Sequence, residues 1–260
     1  MNHNPVAIIQ ARMGSSRLPG KILMPLAGHP VLWHVVNRLR QSKRLTNVVV
    51  ATTVNPADDQ VEQFCQENNI PCYRGSEEDV LDRYYRAILL YHADPVIRIT
   101  ADCPCIDPLI IDELIDGYVA GGYEVYGLSG EFPDGLDCEM FSYRVMFESW
   151  NNARLKSERE HVVLYPWNHP ELFKQGELFK FTAMAHHRWT IDEEKDYRFL
   201  TELYNRLYRE GDLFTTDDIL ALLEREPELA QINTGIIRNE GLIKTLEHDT
   251  EINPNESTDR

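Results

Sequence analysis

Strand-like and helix-like patterns alternate along the first 120 or so residues, and this alternation constrains the fold more than any other feature of the chain. Residues 6–11 form an almost continuous apolar run, typical of a strand buried on both faces of a parallel sheet. Further strands are predicted at 48–53, 71–74 and 96–100, and helices at 30–39, 58–67, 79–91 and 108–119. Alternation with short loops predicts an α/β fold, with an open, mostly parallel sheet and helices on both faces.

The pattern becomes irregular after residue 120. Residues 164–173 contain two prolines and little periodicity, which suits an inserted hairpin or an interface. The other patterns predict strands at 137–141, 179–184 and 188–192, and helices at 144–155, 193–209 and 217–223. Because no linker divides the chain, we expect one domain over 1–246, with an irregular insertion at about 130–178 and a frayed polar tail at 247–260.

Composition excludes several classes of protein. The formal net charge of −16 argues against nucleic acid or an anionic membrane as a partner, since both require a cationic surface. The sequence contains no apolar stretch long enough to span a bilayer, and the N-terminus lacks the basic region of a signal peptide. Five scattered cysteines, without metal-site spacing, are typical of a reducing compartment. We therefore expect a cytoplasmic protein.

Charge is distributed unevenly along the chain. Residues 1–57 contain seven Lys and Arg and no Asp or Glu, so they carry a formal charge of +7, whereas the rest of the chain carries −23. Four of the seven cations fall at 38–44, where a solvated helix face explains them. Arg12, Arg17 and Lys21 are not explained in this way. An acid-free, cation-bearing segment is what an anion site requires, because a carboxylate would repel a phosphate.

The loop after the first strand carries these three cations. Its sequence at 14–21, Gly-Ser-Ser-Arg-Leu-Pro-Gly-Lys, superficially resembles a P-loop, but five residues separate the glycines and Ile22 stands where Ser or Thr would hold magnesium. One alternative is a structural turn with an incidental lysine. The small residues and cations favour a loop that binds the phosphates of a nucleoside triphosphate.

Two aspartates follow predicted strands. Asp102 comes directly after the strand at 96–100 and is either a helix cap or a metal ligand. Since Asp107 precedes Pro108 and suits the cap, Asp102 is left to bind Mg²⁺ at the same sheet edge as the loop. Asp192 also follows a predicted strand, and an N-cap role there is at least as well supported as a metal role.

Two polar motifs suit a polyhydroxylated acceptor. The first spans 134–139 (Asp-Gly-Leu-Asp-Cys-Glu) and the second spans 158–161 (Glu-Arg-Glu-His). The alternatives are a structural Pro-Asp-Gly turn for the first and an exposed helix face for the second. His161 is a candidate general base, although an isolated histidine is more often structural.

These motifs together resemble a known family. Residues 8–23 (IIQARMGSSRLPGKIL) look like the opening motif of sugar cytidylyltransferases, which include the 3-deoxy-manno-octulosonate and acylneuraminate enzymes. Gln10 stands where the sugar-acid enzymes usually have Pro, and this resembles the branch named for spore coat polysaccharide biosynthesis protein F. Further motifs similar to that branch lie at 74–84, 98–104, 135–139, 158–161 and 188–192.

The resemblance implies a single-domain nucleotidyltransferase of glycosyltransferase-A-like fold, with a mixed, mostly parallel sheet flanked by helices. It implies transfer of CMP from CTP to a sugar or sugar-like acceptor, with release of pyrophosphate and with Mg²⁺ as cofactor. It also implies a homodimer that associates through about 140–175.

The resemblance assigns residues position by position. Catalysis is expected from Lys21, Arg17 and Arg12. The nucleotide is expected to contact Gln10, Ala11, Arg12, Gly14, Ser15, Ser16, Arg17, Lys21, Arg74, Ser76 and Asp79. The acceptor is expected to contact Asp134, Gly135, Asp137, Glu139, Glu158, Glu160 and His161. Asp102 and Asp192 are the expected metal ligands.

Two other functions remain open at this point. The first is a glycosyltransferase of related fold that uses a preformed nucleotide sugar, although the cationic loop argues against it. The second is a non-catalytic nucleotide-binding protein of an envelope pathway. The sequence names neither the acceptor nor, except by resemblance, the base.

Overall fold

The computed structural model describes residues 4–252, and a seven-stranded sheet dominates them. The strands are β1 (Val6–Gln10), β2 (Pro25–Leu26), β3 (His29–Pro30), β4 (Asn47–Thr53), β5 (Cys72–Gly75), β6 (Val96–Thr100), β7 (Val125–Leu128), β8 (Glu139–Phe141) and β9 (Gln175–Leu178). The helices are α1 (Val31–Leu39), α2 (Asp59–Glu67), α3 (Val80–Tyr91), α4 (Pro108–Gly121), α5 (Tyr143–Asn152), α6 (Lys156–Glu160), α7 (Leu164–Asn168), α8 (Glu194–Leu207), α9 (Thr216–Arg225) and α10 (Glu240–Glu247).

The large sheet has the order β5-β4-β1-β6-β8-β7-β9, and β2 and β3 form a separate small ribbon. Within the large sheet, β8 runs antiparallel to both of its neighbours, and the other pairings are parallel. The chain adds β4 and β5 on one side of β1 and then returns to place β6 on the other side. The order of the strands therefore reverses between β1 and β6, which is where open α/β sheets bind their ligands.

Each face of the sheet is covered by its own apolar layer, as the strand patterns predict. Ala7 and Ile9 of β1 face a core shared with α1, α2, α4, α8 and α9. Val6 and Ile8 face the opposite core, which includes side chains of α3 and α5. Alternate residues of one strand point to opposite faces, so β1 must be apolar along its whole length to bury both. No helix among the described residues is long and apolar enough to cross a membrane.

Three sequence-based expectations for the second half are wrong. Residues 179–184 are irregular, with a bend at 182–183, rather than a strand: β9 ends at Leu178 and Ala183 adopts a positive φ of 58°. Residues 188–192 make one bridge, between Arg188 and Asp134, and do not form a strand. Residues 164–173 contain α7 followed by turns, so the inserted hairpin is also wrong.

The expected irregular insertion at 130–178 contributes β8 and β9 to the main sheet as well as α5, α6 and α7. The start of the expected tail is also structured. Ile252 N–H donates to Arg154 O at 2.7 Å, and Lys156 N–H donates to Thr250 O at 2.9 Å. Residues 248–252 therefore lie against the segment that leads into α6, and residues 253–260 lie outside the described part of the chain.

Asp107 begins α4, as its place before Pro108 predicts. Its carboxylate accepts hydrogen bonds from the backbone N–H groups of Leu109 at 2.9 Å and of Thr216 at 2.7 Å. The side chain thus caps α4 and also joins it to the start of α9. Asp107 itself is only 2% exposed, so these two N–H groups have little access to water as an alternative partner.

We expect Asp107→Ala to lower the free energy of unfolding by about 2–3 kcal/mol, because it removes a helix cap and leaves a buried N–H group unpaired. Urea unfolding followed by circular dichroism measures this change. The control is Asp217→Ala, which removes an exposed carboxylate from the first turn of α9 and should change stability by no more than about 0.5 kcal/mol. Equal effects of the two substitutions would contradict the capping role.

Candidate functional site

The centre of the site is the ammonium group of Lys21, at the edge where β1 and β6 end. Gly20 adopts a left-handed conformation with φ of 71°, and its N–H donates to Met13 O at 3.0 Å, which folds the loop back on itself. Lys21 follows in a short 3₁₀ turn and is only 8% exposed. The prediction that this loop and Asp102 share one sheet edge is confirmed.

Three oxygens surround the Lys21 ammonium. It donates to Asp102 Oδ2 at 2.5 Å, to the backbone oxygen of Ile191 at 2.6 Å and to Asp192 Oδ1 at 2.8 Å. Burial alone would lower the pKa of Lys21, but the two carboxylates outweigh burial and hold the pKa above its ordinary value. Burial opposes ionisation of Asp192 as well, yet Lys21, Arg188 and Arg17 lower its pKa to about 2. Lys21 and Asp192 are therefore both charged at neutral pH.

A second cation, Arg188, fixes the position of Asp192. Its guanidinium donates to Asp192 Oδ2 at 2.7 Å, to Asp134 Oδ2 at 2.5 Å and to Asp196 Oδ1 at 2.9 Å. Asp196 also accepts the backbone N–H groups of residues 192 and 193, each at 3.0 Å. The N-cap of α8 is Glu193, so the interpretation of Asp192 as an N-cap is wrong. Asp192 instead belongs to the site.

The two arginines of the loop after β1, Arg17 and Arg12, differ in their environments. Arg17 pairs with Asp192 and with Glu240, in each case at 3.0 Å. Arg12 is exposed, and it makes no ion pair within residues 4–252. Two of the three cations predicted to bind phosphate are therefore already paired with carboxylates, and one is not.

Carboxylates also approach the loop, although its own sequence contains none. Met13 N–H donates to Asp58 Oδ1 at 2.6 Å, and Glu77 Oε1 lies 3.5 Å from where a side chain at Gly14 would begin. The absence of acids from residues 1–57 thus does not produce an acid-free site. These acids come from distant segments that fold onto the loop, so the charge of residues 1–57 describes the loop's own sequence and not its surroundings.

The remaining loop residues have mixed roles. Ser15 Oγ accepts the N–H of Leu18 at 3.3 Å and so helps to shape the loop, whereas Ser16 is exposed. Ala11 is buried at the start of the loop. The side-chain oxygen of Gln10 is buried and has no hydrogen-bond partner among residues 4–252. A buried acceptor without a partner suits a position that a ligand completes.

The Arg74, Ser76 and Asp79 motif is engaged within the fold. Arg74 pairs with Asp59 at 2.7 Å and donates to the backbone oxygen of Thr53 at 2.8 Å. Ser76 Oγ accepts the N–H of Asp79 at 3.0 Å. Asp79 is the N-cap of α3 and pairs with Arg159. These contacts supply a structural role for all three side chains, and their expected contacts with base and ribose stay predictions.

The motif at 134–139, expected to contact the acceptor, lies next to Arg188, because its first residue, Asp134, pairs with that guanidinium. Gly135 has φ of 104°, and a Cβ at this position would lie 2.6 Å from the carbonyl carbon of Trp189, so only glycine fits. Asp137 accepts the N–H of Gly135 at 2.9 Å. Burial and the nearby Asp137 raise the pKa of Asp134 to about 6, against the opposing effect of Arg188.

Glu139 of the same motif lies on β8 and pairs with Arg98 of β6 at 3.1 Å. Both side chains are largely buried, and the Nε atom of Arg98 has no partner among residues 4–252. The two strands are therefore joined by a largely buried ion pair in the middle of β6.

In the motif at 158–161, also expected to contact the acceptor, one residue caps a helix and two others contact α10. Glu158 caps α6 by accepting the N–H groups of Arg154 at 3.0 Å and Leu155 at 3.2 Å, so its carboxylate is used within the fold. Glu160 and His161 face Thr245 of α10 instead, at 3.3 and 3.2 Å from its hydroxyl oxygen. Burial lowers the pKa of His161, so its imidazole is neutral at pH 7.

Asp102 and Asp192 are the residues that could hold a metal ion. No cluster of three or more acidic, His or Cys side chains in the described part of the chain has the geometry of a metal site. The two aspartates nevertheless converge on one cation, and carboxylate oxygens are the ligands that Mg²⁺ prefers. Mg²⁺ commonly takes one or two protein carboxylates and completes its shell with phosphates and water, so this pair fits it.

Comparison with known proteins identifies the family. The family model described as cytidylyltransferase matches residues 6–229. The chain belongs to the cytidylyltransferase family. It is therefore a nucleotidyltransferase enzyme, and the recognition made from the motifs is confirmed.

Relatives agree with this assignment. The spore coat polysaccharide biosynthesis protein SpsF of Bacillus subtilis (strain 168) is 36% identical over 231 residues, which cover 86% of this chain and 95% of that protein. The structure of a cytidylyltransferase from Leptospira borgpetersenii has 33% sequence identity and a TM-score of 0.84, over 91% of this chain and 100% of that one. A CMP:2-keto-3-deoxy-manno-octonic acid synthetase complexed with CTP has 19% identity and a TM-score of 0.60, over 79% and 100%, and is similar in fold.

Several residues of the site had no role assigned from the sequence. Arg188 and Arg98 lie in sequence motifs that resemble those of the family, so the sequence drew attention to their positions. No sequence motif pointed to Asn233, although its amide donates to Arg188 O and to Asp196 Oδ1, each at 3.0 Å. Glu240 and Thr245 also carried none, because they belong to a polar helix distant in sequence from the motifs they contact.

The Arg188 network is expected to hold the site together. Asp196→Ala should lower the free energy of unfolding by about 3–5 kcal/mol, because it leaves part of the Arg188 charge buried without a partner. Urea unfolding measures this. Glu194→Ala, which removes an exposed carboxylate in the same helical turn, should cost no more than about 1 kcal/mol. A small effect of Asp196→Ala would mean that Arg188 is held adequately by Asp134 and Asp192 alone.

Proposed function

We propose that this cytidylyltransferase transfers CMP from CTP to a sugar-like acceptor in the synthesis of a cell-surface polysaccharide. The observation that carries the proposal is the convergence of Lys21, Asp102 and Asp192 at the strand-order reversal of a chain that matches the family. The resemblance to the spore coat protein supports the polysaccharide context.

In the proposed reaction, an oxygen of the acceptor attacks the α-phosphorus of CTP and pyrophosphate leaves. Lys21, Arg17 and Arg12 lie on one loop, and their charges stabilise the negative charge that develops on the phosphates. Asp102, Asp192 and the backbone oxygen of Ile191 place the Lys21 ammonium at the sheet edge where the loop lies. Arg12 makes no ion pair in the described residues and so is the most readily available of the three.

We propose Mg²⁺ as the cofactor, with Asp102 and Asp192 as its protein ligands. A bound ion of this kind neutralises phosphate charge and orients the leaving pyrophosphate. Lys21, Arg188 and Arg17 lower the pKa of Asp192 against the effect of burial, so its carboxylate is ionised at neutral pH.

The acceptor is proposed to lie between β8 and α6. Asp137, Glu139 and Glu160 supply oxygens that accept hydrogen bonds from hydroxyl groups. His161 is a candidate general base, because its pKa is lowered and a neutral imidazole accepts a proton. The acidic character of this region favours a neutral or amino-bearing part of the acceptor here.

We also propose a homodimer and a cytoplasmic location. The aromatic side chains of Tyr143 and Phe147 are exposed on α5, within the segment of 140–175 where the resemblance implies dimer contacts. Exposed aromatic residues are common at subunit interfaces. The five cysteines are all free, which suits a reducing compartment.

The proposal is tested with purified protein, Mg²⁺ and each of CTP, ATP, GTP and UTP. CTP should raise the melting temperature more than the other three, because a ligand that binds the native state stabilises it. Pyrophosphate release is then measured with CTP and a panel of acceptors that includes 2-keto-3-deoxy-manno-octonate, amino sugars and polyols. The expected result is pyrophosphate together with a CMP conjugate in the mass spectrum.

Two outcomes would contradict the proposal. Consumption of a preformed nucleotide sugar, without pyrophosphate release from CTP, would indicate a glycosyltransferase. Binding of CTP without turnover across the whole panel would support a non-catalytic nucleotide-binding protein.

The role of Lys21 is tested by Lys21→Gln, which should lower kcat/KM for CTP by about 10²- to 10³-fold, the effect of removing one preorganised donor. Lys43→Gln removes an exposed lysine outside the loop and should leave kcat/KM unchanged. Lys21→Gln also leaves the Asp102 and Asp192 carboxylates close together without a cation between them, and their repulsion disturbs the site in its own right. Asp102→Asn avoids this repulsion and provides an independent check: it should abolish Mg²⁺-dependent turnover. Full activity of the Lys21 variant would show that this ammonium does not act on the phosphates.

A further inference from the structure

The chain continues beyond the family match at residue 229 and returns across the candidate site. The returning segment, residues 238–252, contains α10 and contacts both halves of the site. Its contacts are Arg238 with Asp137 at 3.5 Å, Glu240 with Arg17 at 3.0 Å, Thr245 with Glu160 at 3.3 Å, and Asp249 with Ser157 Oγ at 2.5 Å. The segment therefore spans from the phosphate loop to α6.

Apolar packing holds this segment only weakly. No residue of α10 is buried, and the side chains of Ile243 and Leu246 are 44% and 50% exposed. A helix with few buried apolar contacts opens at low cost in free energy. Polar contacts with site residues are thus the main attachment of α10, and a ligand that competes for those residues would weaken it.

Arg17 is the contact at which such competition is direct. Its Nη1 atom lies 3.0 Å from Glu240 Oε2, and its Nη2 atom lies 3.0 Å from Asp192 Oδ1. Both ends of the guanidinium are therefore occupied by carboxylates. Guanidinium groups bind carboxylate and phosphate oxygens through the same planar arrangement of donors, so a carboxylate and a phosphate compete for the same positions.

We propose that Glu240 sets the affinity of the site for nucleotide, by occupying on Arg17 the position that a phosphate of CTP takes, so that CTP binding displaces Glu240 and loosens α10. The inference rests on the proposed function, because it takes the loop to be the triphosphate site. Glu240 lies outside residues 6–229, which the family model matches, and outside the sequence motifs that resemble the family. The proposal therefore adds a residue that controls nucleotide binding to those already expected.

The test compares two substitutions on α10 that remove the same charge. Glu240→Gln removes the charge that pairs with Arg17 and with Lys244, whereas Glu247→Gln removes an exposed carboxylate that makes no ion pair among residues 4–252. Kd for CTP is measured by isothermal titration calorimetry with Mg²⁺ present. We expect Glu240→Gln to tighten binding about two- to fivefold, the range for release of one partly exposed ion pair, and Glu247→Gln to change it by less than about 1.5-fold.

Hydrogen exchange gives a second measurement on the unmodified protein. Addition of CTP should accelerate exchange of the backbone amides at 241–247, because α10 loses its contact with Arg17. Slower exchange would show that α10 closes on the nucleotide and would overturn the proposal. Equal shifts in Kd for the two variants, or weaker binding by Glu240→Gln, would also overturn it.

The two proposals fail in distinguishable ways. If the wild-type protein and the Glu240→Gln variant both fail to bind CTP, the proposed function is wrong and the inference falls with it. If both bind CTP with the same Kd and release pyrophosphate with an acceptor, the proposed function stands and only the role of Glu240 is wrong.

Discussion

The ammonium group of Lys21 joins three segments of chain that are far apart in sequence. It links the loop after β1 to the turn after β6 through Asp102, and to the segment before α8 through Asp192 and the backbone oxygen of Ile191. Two carboxylates this close together repel each other unless a cation lies between them. Arg188 then holds Asp192 from its other side. The site is thus organised around positive charge, and its acidic residues keep their positions because cations separate them.

Local patterns were sufficient to predict the first half of the fold. The strands that become β1 and β4 are apolar on both faces, and this pattern identifies a central parallel strand without reference to any partner. Ligands of such sheets bind at the carboxyl ends of the strands, where the strand order reverses, and this rule predicted that Asp102 lies near the loop after β1. The second half was less predictable, because its short strands are defined by their neighbours. Residues 179–184 alternate in polarity like a strand but pair with no strand among residues 4–252.

The distribution of charge along the chain describes the loop but not its surroundings. Arg12, Arg17 and Lys21 stand out as candidate phosphate-binding residues because they lie in a segment without acids, and the structure places all three on one loop. The carboxylates that pair with them come from residues 102, 192 and 240, and no property of the loop sequence specifies those contacts. Long-range pairing of charges depends on the tertiary fold, so a sequence reveals the cations of such a site more readily than their partners.

Within the large sheet, β8 runs antiparallel to both of its neighbours, and this direction determines which segments share a sheet edge. Glu139 at the start of β8 pairs with Arg98 in the middle of β6, so the segment that enters β8 lies at the edge where β6 ends. Chain arriving at the sheet and chain leaving it therefore meet at one edge. Substitutions in residues 129–138 can alter the arriving segment without changing the loop that follows β1.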